Sequence, residues 1–333
     1  MLKLIKTERG GAVKIGNTEI KYGLFLAPMA GYTDRAMRLV CHRMGAELCV
    51  SEMVSAKAVV YGDKKTFSLA KILPDEGPAA VQIFGSEPHI MARAAAILSE
   101  PQLGVPPVAI DINMGCPVNK IFSNGEGSAL MKSPEKIEKI VSATVKETNL
   151  PVTVKLRLGI DGKSINATDC ALAAEAGGAT LVCLHGRTRE QMYGGSCDRK
   201  NIEKVKKALH IPLIANGDVT DADSAIALLS ETGADGIAVG RGAVGNPFIF
   251  EEIISALENR EYTPPTLEER TELALEQLRL AVLDKGERTA VLEARKQISL
   301  YFKGFSGAAM ARAEINRAES FSEVEKILLA LCK

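Results

Sequence analysis

Eight times between residues 22 and 250 the chain repeats one unit: a short unbroken apolar run, a polar or glycine turn, then a helical stretch. The runs are LFLAPM (24–29), LCVSEMV (48–54), AAVQIFG (79–85), VAIDIN (108–113), VTVKLRLG (152–159), TLVCLHG (180–186), PLIANG (212–217) and GIAVGRG (236–242). Apolar runs without alternation indicate strands buried on both faces. Between them lie helical stretches such as EPHIMARAAAIL (87–98), NATDCALAAEAGG (166–178) and DADSAIALLSETG (221–233), the last with an aspartate at its start and a glycine at its end. Eight such units over about 230 residues have the count and length of a (β/α)8 TIM barrel, an α/β fold. An open doubly wound sheet is the alternative, but no GxGxxG follows the first run.

Two flanking segments differ. AVKIGNTEIK (12–21) alternates around Gly16-Asn17 and reads as a hairpin, so residues 1–21 form a unit closing the barrel floor. TPP at 263–265 breaks the chain, and TLEERTELALEQLRLAVLDKG (266–286), RTAVLEARKQISLYFKG (288–304), AAMARAEINRAES (308–320) and SEVEKILLALC (322–332) all read as helix. The expected division is 1–21, a 22–260 catalytic barrel, and a 261–333 C-terminal all-helical domain.

Composition narrows the function classes. The formal net charge is zero, so a nucleic-acid surface must be a local patch. The seven cysteines include no CxxC pair, which favours reduced thiols and neither a zinc site nor a disulfide framework. The start MLKLIKTERGG lacks the apolar core of a signal peptide, and no run approaches the ~18 apolar residues of a membrane span. A cytoplasmic monomer without metal or membrane association is expected.

Catalytic groups of a barrel gather at the C-terminal strand ends. The first end holds Pro28-Met29-Ala30, the third Gln82, the fourth Asn113 with Cys116 on its loop, and the fifth Lys155 and Arg157. The sixth holds His185 and Arg187, the seventh Asn216-Gly217-Asp218, the eighth Gly240-Arg241-Gly242. Glycine turns after the last two strands form the phosphate site common in barrels, with Arg241 able to add charge-assisted bonds. Lys155, on an apolar strand, suits a ligand carrying negative charge, as reduced flavin does. Gln82 offers donors and an acceptor to a ring edge. Cys116 interrupts this pattern, since it stands between glycine and proline where a buried strand has just ended.

APMAGYTD (27–34), VQIFG (81–85), DINMGCPVNK (111–120), VKLRLG (154–159), LHGRT (184–188), ANGDV (215–219) and GRGAVGNP (240–247), in this order, resemble the tRNA-dihydrouridine synthases. The resemblance spans the barrel, and the helical tail is where that family has one. One position departs: Glu126 in NGEGSALM (124–131), where the family more often has alanine. The resemblance implies FMN in the mouth, NAD(P)H as reductant, and reduction of the C5–C6 bond of uridines in tRNA. It implies FMN contacts at Pro28, Met29, Ala30, Gln82, Lys155 and His185, and phosphate contacts at Asn216, Gly217, Asp218, Gly240 and Arg241. It implies uracil contacts at Asn113, Arg157 and Tyr193. Cys116 becomes the acid that protonates C5 after hydride transfer from N5 of the flavin to C6, on a mobile loop that swings over an extruded base.

From Arg288 to Arg317 six cations face two carboxylates, and Arg295, Lys296 and Lys303 are the candidate tRNA contacts. Two other readings are a flavin barrel acting on free pyrimidines, like dihydroorotate dehydrogenase, which would not need the tail, and a non-catalytic RNA-binding protein, which would not need Cys116 or Lys155.

Overall fold

The computed structural model describes residues 12–100 and 104–332, so residues 1–11 of the proposed hairpin unit lie outside the described residues. Strands β1 (Val13–Ile15) and β2 (Thr18–Ile20) pair antiparallel across Gly16-Asn17. Strands β3 (Leu24–Leu26), β4 (Leu48–Val50), β5 (Val54–Ser55), β6 (Ala79–Phe84), β7 (Ala109–Asn113), β8 (Val152–Leu156), β9 (Leu181–His185), β10 (Leu213–Asn216) and β11 (Gly236–Val239) follow, each parallel to its neighbours. β11 pairs with β3, and β4 with β6, which closes the ring. With β4 and β5 sharing one position beside β6, this is an eight-stranded (β/α)8 barrel. The second apolar run splits after Val50, where the Ser51 amide donates to Ala80 O at 2.9 Å and its hydroxyl accepts the amide of Gln82 at 3.1 Å.

Strand side chains alternate between two environments. Leu24, Leu26, Val81, Ile110, Ile112, Val154, Val182, Leu184, Ala215 and Ile237 face outward and pack beneath the helices. Phe25, Leu48, Ala80, Ala109, Leu181, Ile214 and Ala238 face inward and pack with Val13, Ile15 and Ile20 of the hairpin, which thereby plugs the N-terminal end. Continuing two residues at a time toward the C-terminal ends, the inward series turns polar: Ala80 to Gln82, Ala109 to Asp111 to Asn113, Leu181 to Cys183 to His185, Ile214 to Asn216. Apolar packing fills the floor and leaves the mouth to polar groups.

The tail contains helices Leu267–Lys285, Glu287–Ala294, Ala308–Ile315 and Phe321–Leu331, and no strand follows β11 among the described residues. Thr266 and Glu269 form a capping box at its start. The helix anticipated over 288–304 stops at Ala294 and resumes as a 3-10 turn, Ile298–Phe302. Buried polar groups cause the break: Gln277 donates to Gln297 Oε1 at 2.8 Å and accepts from the Tyr301 hydroxyl at 2.5 Å. Satisfying these groups outweighs continuing an exposed helix. The tail packs on the first and last barrel units. Lys285 lies between Asp34 and Glu293, and a Cβ on Gly245 would stand 2.8 Å from the Tyr301 nitrogen. No described helix is long and apolar enough to cross a membrane.

Candidate active site

Because every barrel strand is parallel, all C-terminal ends open on one mouth. Strand register places Gln82 beside Asp111, Asn113 beside Lys155, and His185 beside Asn216. Three hydrogen-bonded groups of residues form there.

The first holds the cysteine loop. Gln82 Nε2 donates to Asp111 Oδ2 at 2.6 Å, Asn113 Nδ2 donates to Gln82 Oε1 at 2.8 Å, and Asn113 Oδ1 accepts the amides of Cys116 at 2.9 Å and Gly115 at 3.2 Å. Cys116 O accepts from the Ser128 hydroxyl at 2.8 Å, and Arg157 Nε donates to Gly115 O at 2.9 Å. The loop is therefore braced on three sides in this structure. Burial raises the Cys116 thiol above its ordinary pKa, against lowering by the Val118 amide and Arg157. The thiol is protonated at neutral pH.

The second group centres on Lys155. Its Nζ donates to Asn216 Oδ1 at 3.0 Å, and Asn216 Nδ2 donates to Ala238 O at 2.6 Å. Burial pulls the ammonium below the usual lysine value. A cation held in the interior by one neutral acceptor, with two N–H groups to spare, is a site for an anionic ligand. His185 is buried, and its pKa is pushed far down by that burial and by Lys155, Arg157, Arg187 and Arg241. It is a neutral imidazole at pH 7.

The third group lies after β10 and β11. Among the described residues, the amides of Gly217, Asp218, Gly240, Arg241 and Gly242 have no hydrogen-bond acceptor within the chain. The two turns press so closely that a Cβ on Gly242 would overlap the Val219 carbonyl. Clustered unbonded amides make an anion cradle. The Arg241 side chain is 56% exposed beside it and stacks on the Tyr193 ring at 4.6 Å. The Asp218 carboxylate points elsewhere: it accepts Arg187 Nη2 at 2.8 Å and the Cys197 amide at 2.7 Å. The Asp218 carboxylate is thus engaged by Arg187 and Cys197, with Arg241 Nη2 3.8 Å away, while its backbone amide is one of the five unbonded ones.

Pro28 and Met29 are half-buried and Ala30 exposed on the loop after β3. The Met29 sulfur lies 3.6 Å from where a Gly240 Cβ would stand, so this loop borders the cradle. Arg157, expected on the substrate, gives three of its five N–H donors to the carbonyls of Gly115, Thr188 and Met192. Burial brings its pKa down to about 10, so it remains cationic. It ties the cysteine loop to the segment bearing Tyr193. In the tail, Arg295 is half-buried and donates to Ala318 O at 2.8 Å. One of its donors is thus engaged within the tail. Lys296 and Lys303 are exposed, and Lys296 lies over the Tyr32 ring at 5.1 Å, at the barrel rim.

Sequence reasoning missed Asp111 and gave Arg187 no role. Counting by twos along VAIDIN would have found the first, since Asp111 shares the face of Asn113. The fork of Arg187 depends on carbonyls further along its own loop and an aspartate from the loop after β10, which no local pattern signals.

The residues present fit a ligand with one phosphate and an electron-rich ring, as FMN has: one amide cradle with Arg241, and an under-partnered Lys155 and Gln82 deeper in. The family model "Dihydrouridine synthase (Dus)" matches residues 25–333. The chain is 40% identical over 307 residues to a probable tRNA-dihydrouridine synthase of Rickettsia conorii, covering 91% of each. It is 39% identical over 310 residues to tRNA-dihydrouridine synthase B of Pseudomonas putida, covering 92% of this chain and 90% of that one. Among solved structures, a 2-naphthoyl-CoA reductase is similar with TM-score 0.55 at 14% identity, over 75% of this chain and 52% of that one. An old yellow enzyme homologue from Zymomonas mobilis gives TM-score 0.50 at 14% identity, over 78% and 95%. At such identity these two attest the barrel fold alone.

Proposed function

The chain belongs to the dihydrouridine synthase family, and on that premise we propose that it reduces the C5–C6 double bond of uridines in tRNA to 5,6-dihydrouridine, with FMN as cofactor and NAD(P)H as reductant. The observation that carries this reading is the buried Cys116, whose loop is braced by Asn113 at the end of the strand beside the one that carries Lys155, and whose thiol burial pushes up in pKa. FMN, when bound and reduced, supplies the hydride for C6 of the uracil ring. The amides of Gly217, Asp218, Gly240, Arg241 and Gly242 hold its phosphate, with the Arg241 guanidinium. Lys155 and Gln82 face its ring, and neutral His185 offers an N–H there.

Cys116 Sγ holds the proton that C5 requires and delivers it as a general acid. A thiol with a raised pKa keeps that proton until the ring carbon demands it. Arg157 and Asn113 act first on the protein, by fixing the loop that carries this thiol. Asn113 retains one N–H for a uracil carbonyl, and Tyr193 stands at the rim as a stacking surface. The base must leave its stack to reach the mouth, so the tail supplies a hold on the surrounding RNA.

The test is dihydrouridine formation by purified protein on unmodified tRNA with NAD(P)H. Cys116→Ala is expected to leave NAD(P)H-dependent bleaching of the yellow protein intact and to slow tRNA reduction by about 10²-fold or more. Turnover of free orotate or uracil with no action on tRNA would overturn the proposal.

A further inference from the structure

The buried carboxylate Asp111 has no place in the chemistry described above, yet it ends a chain of hydrogen bonds that begins at the catalytic loop. It is 4% exposed on the inward face of β7, one layer below the mouth. It accepts the Thr153 hydroxyl on Oδ1 at 2.6 Å and Gln82 Nε2 on Oδ2 at 2.6 Å. An aspartate in a barrel interior is costly unless it is fully hydrogen-bonded, and a hydrophobic residue would fill the layer more cheaply.

The donor and acceptor order of this chain is fixed from both ends. At one end the amides of Cys116 and Gly115 can only donate, so Asn113 must turn its oxygen toward them. Its nitrogen then faces Gln82 Oε1, and Gln82 Nε2 faces Asp111. At the other end a carboxylate can only accept, which imposes the same order in reverse. An amide is nearly symmetric in shape, so packing alone does not choose between its two orientations. The two ends choose together. With Gln82 flipped, an oxygen would face the carboxylate and a nitrogen would face Asn113, and the Cys116 loop would lose its acceptor.

We propose that Asp111 is a positioning residue: it is the terminal acceptor that completes the Gln82–Asn113 relay and thereby holds the Cys116 loop in place. The loop-holding role stands on geometry alone, and its consequence for catalysis rests on the function proposed above. The experiment is alkylation of the full-length protein by iodoacetamide, read peptide by peptide by mass spectrometry. In the parent, Cys116 is buried and reacts slowly. In Asp111→Ala its rate is expected to rise about tenfold, the factor for one lost buried hydrogen bond. Cys41 and Cys170, buried outside the barrel interior, should stay at their parent rates.

Asp111→Asn should react like the parent, because its oxygen can face Gln82 while its amide nitrogen faces the Thr153 hydroxyl. Gln82→Met interrupts the same relay one bond later and should release Cys116 as Asp111→Ala does, which keeps the test intact should the alanine variant not fold. Unchanged Cys116 reactivity in the folded interrupting variants would overturn the proposal, as would Asp111→Asn behaving like Asp111→Ala, or all thiols rising together. The single-turnover rate of tRNA reduction should fall with Asp111→Ala at unchanged KM for tRNA. A released Cys116 with an unchanged rate would overturn the positioning role. The alkylation needs neither tRNA nor reductant, so a chain inactive on tRNA would defeat the proposed function and leave this result standing.

Discussion

Replacing Arg187 with methionine removes the most heavily bonded side chain at the mouth. Arg187 is 2% exposed. Its Nη1 and Nη2 each lie 2.8 Å from an oxygen of Asp218, and Nη2 and Nε donate to the carbonyls of Gly195 and Gly194 at 2.6 and 3.0 Å. Removing one partner of a buried pair costs about 3–5 kcal/mol. The Asp218 side chain is 33% exposed and regains water once orphaned, and methionine refills the buried stem, so the cost falls at the low end, about 3 kcal/mol. At about 2 °C per kcal/mol for a chain of this size, the apparent Tm drops by about 6 °C. Burial opposes ionisation of Asp218, but the Arg187 fork and the Cys197 amide outweigh it and hold the carboxyl below its usual value. Stability from such a group is fully present above the unfolded pKa of ~3.9 and is lost as pH falls through the lower folded value. The gap between parent and variant should therefore be constant between about pH 5 and 8 and close only below ~4. Thermal unfolding of both proteins across pH, with Asp218→Asn and the double variant completing a cycle, measures it. A midpoint within about 1 °C of the parent, or a gap that widens on acidification, would refute the reasoning.

Three further outcomes follow from the site. Gly242→Ala drives a Cβ into the Val219 carbonyl and forces the two cradle turns apart; FMN affinity by titration should fall by about tenfold or more, since even one weakened phosphate bond accounts for that. Cys116 must be protonated to act and burial raises its pKa, so single-turnover tRNA reduction should stay level up to about pH 8.5 and decline only above it; an alkaline limb near neutrality would show that another group is the acid. Lys303, Arg312 and Arg317 are exposed, and replacing all three with alanine should lower the log–log salt slope of tRNA binding by roughly two to three units if each touches a phosphate. Arg295→Ala should instead leave the slope unchanged and lower the melting temperature, because Arg295 donates to Ala318 O.

The barrel was legible because its signal is local and repeated. Each strand is a run of apolar residues, several helices open on a capping side chain such as Asp34, Ser133, Asp198 or Asp221, and the count of eight decides the closure. The strand-end residues were legible for the same reason, since parallel strands place all their C-terminal ends on one side. What could not be read was which way those side chains spend their hydrogen bonds. Asn113 and Arg157 look alike as ligand groups in sequence, but the structure turns most of their capacity inward, onto the loop that carries Cys116. Asp218 likewise sits in a phosphate-turn motif while its carboxylate answers an arginine from the preceding loop. Several of these choices depend on pairs 31 or more residues apart, such as Arg187 with Asp218 and Gln82 with Asn113, and periodicity carries no information about them.

The break after Ala294 shows how a departure from local propensity can serve the whole. A continuous helix over 288–304 would carry Tyr301 and Phe302 along one straight axis. The break turns both into the core, each 1% exposed, and sets Gln297 where its amide reaches Gly31 O at 3.5 Å. Gly31 follows Pro28, Met29 and Ala30, the residues that border the cradle. The same turn brings Lys296 over Tyr32 at the rim and seats Leu300 and Tyr301 against Gly245, just past the eighth strand end. The tail therefore touches the barrel on both sides of the seam where β11 meets β3. Under the function proposed above, a hold on RNA through exposed tail cations would sit at a set distance from the mouth, so contacts that bind the RNA would also determine which nucleotide reaches Cys116.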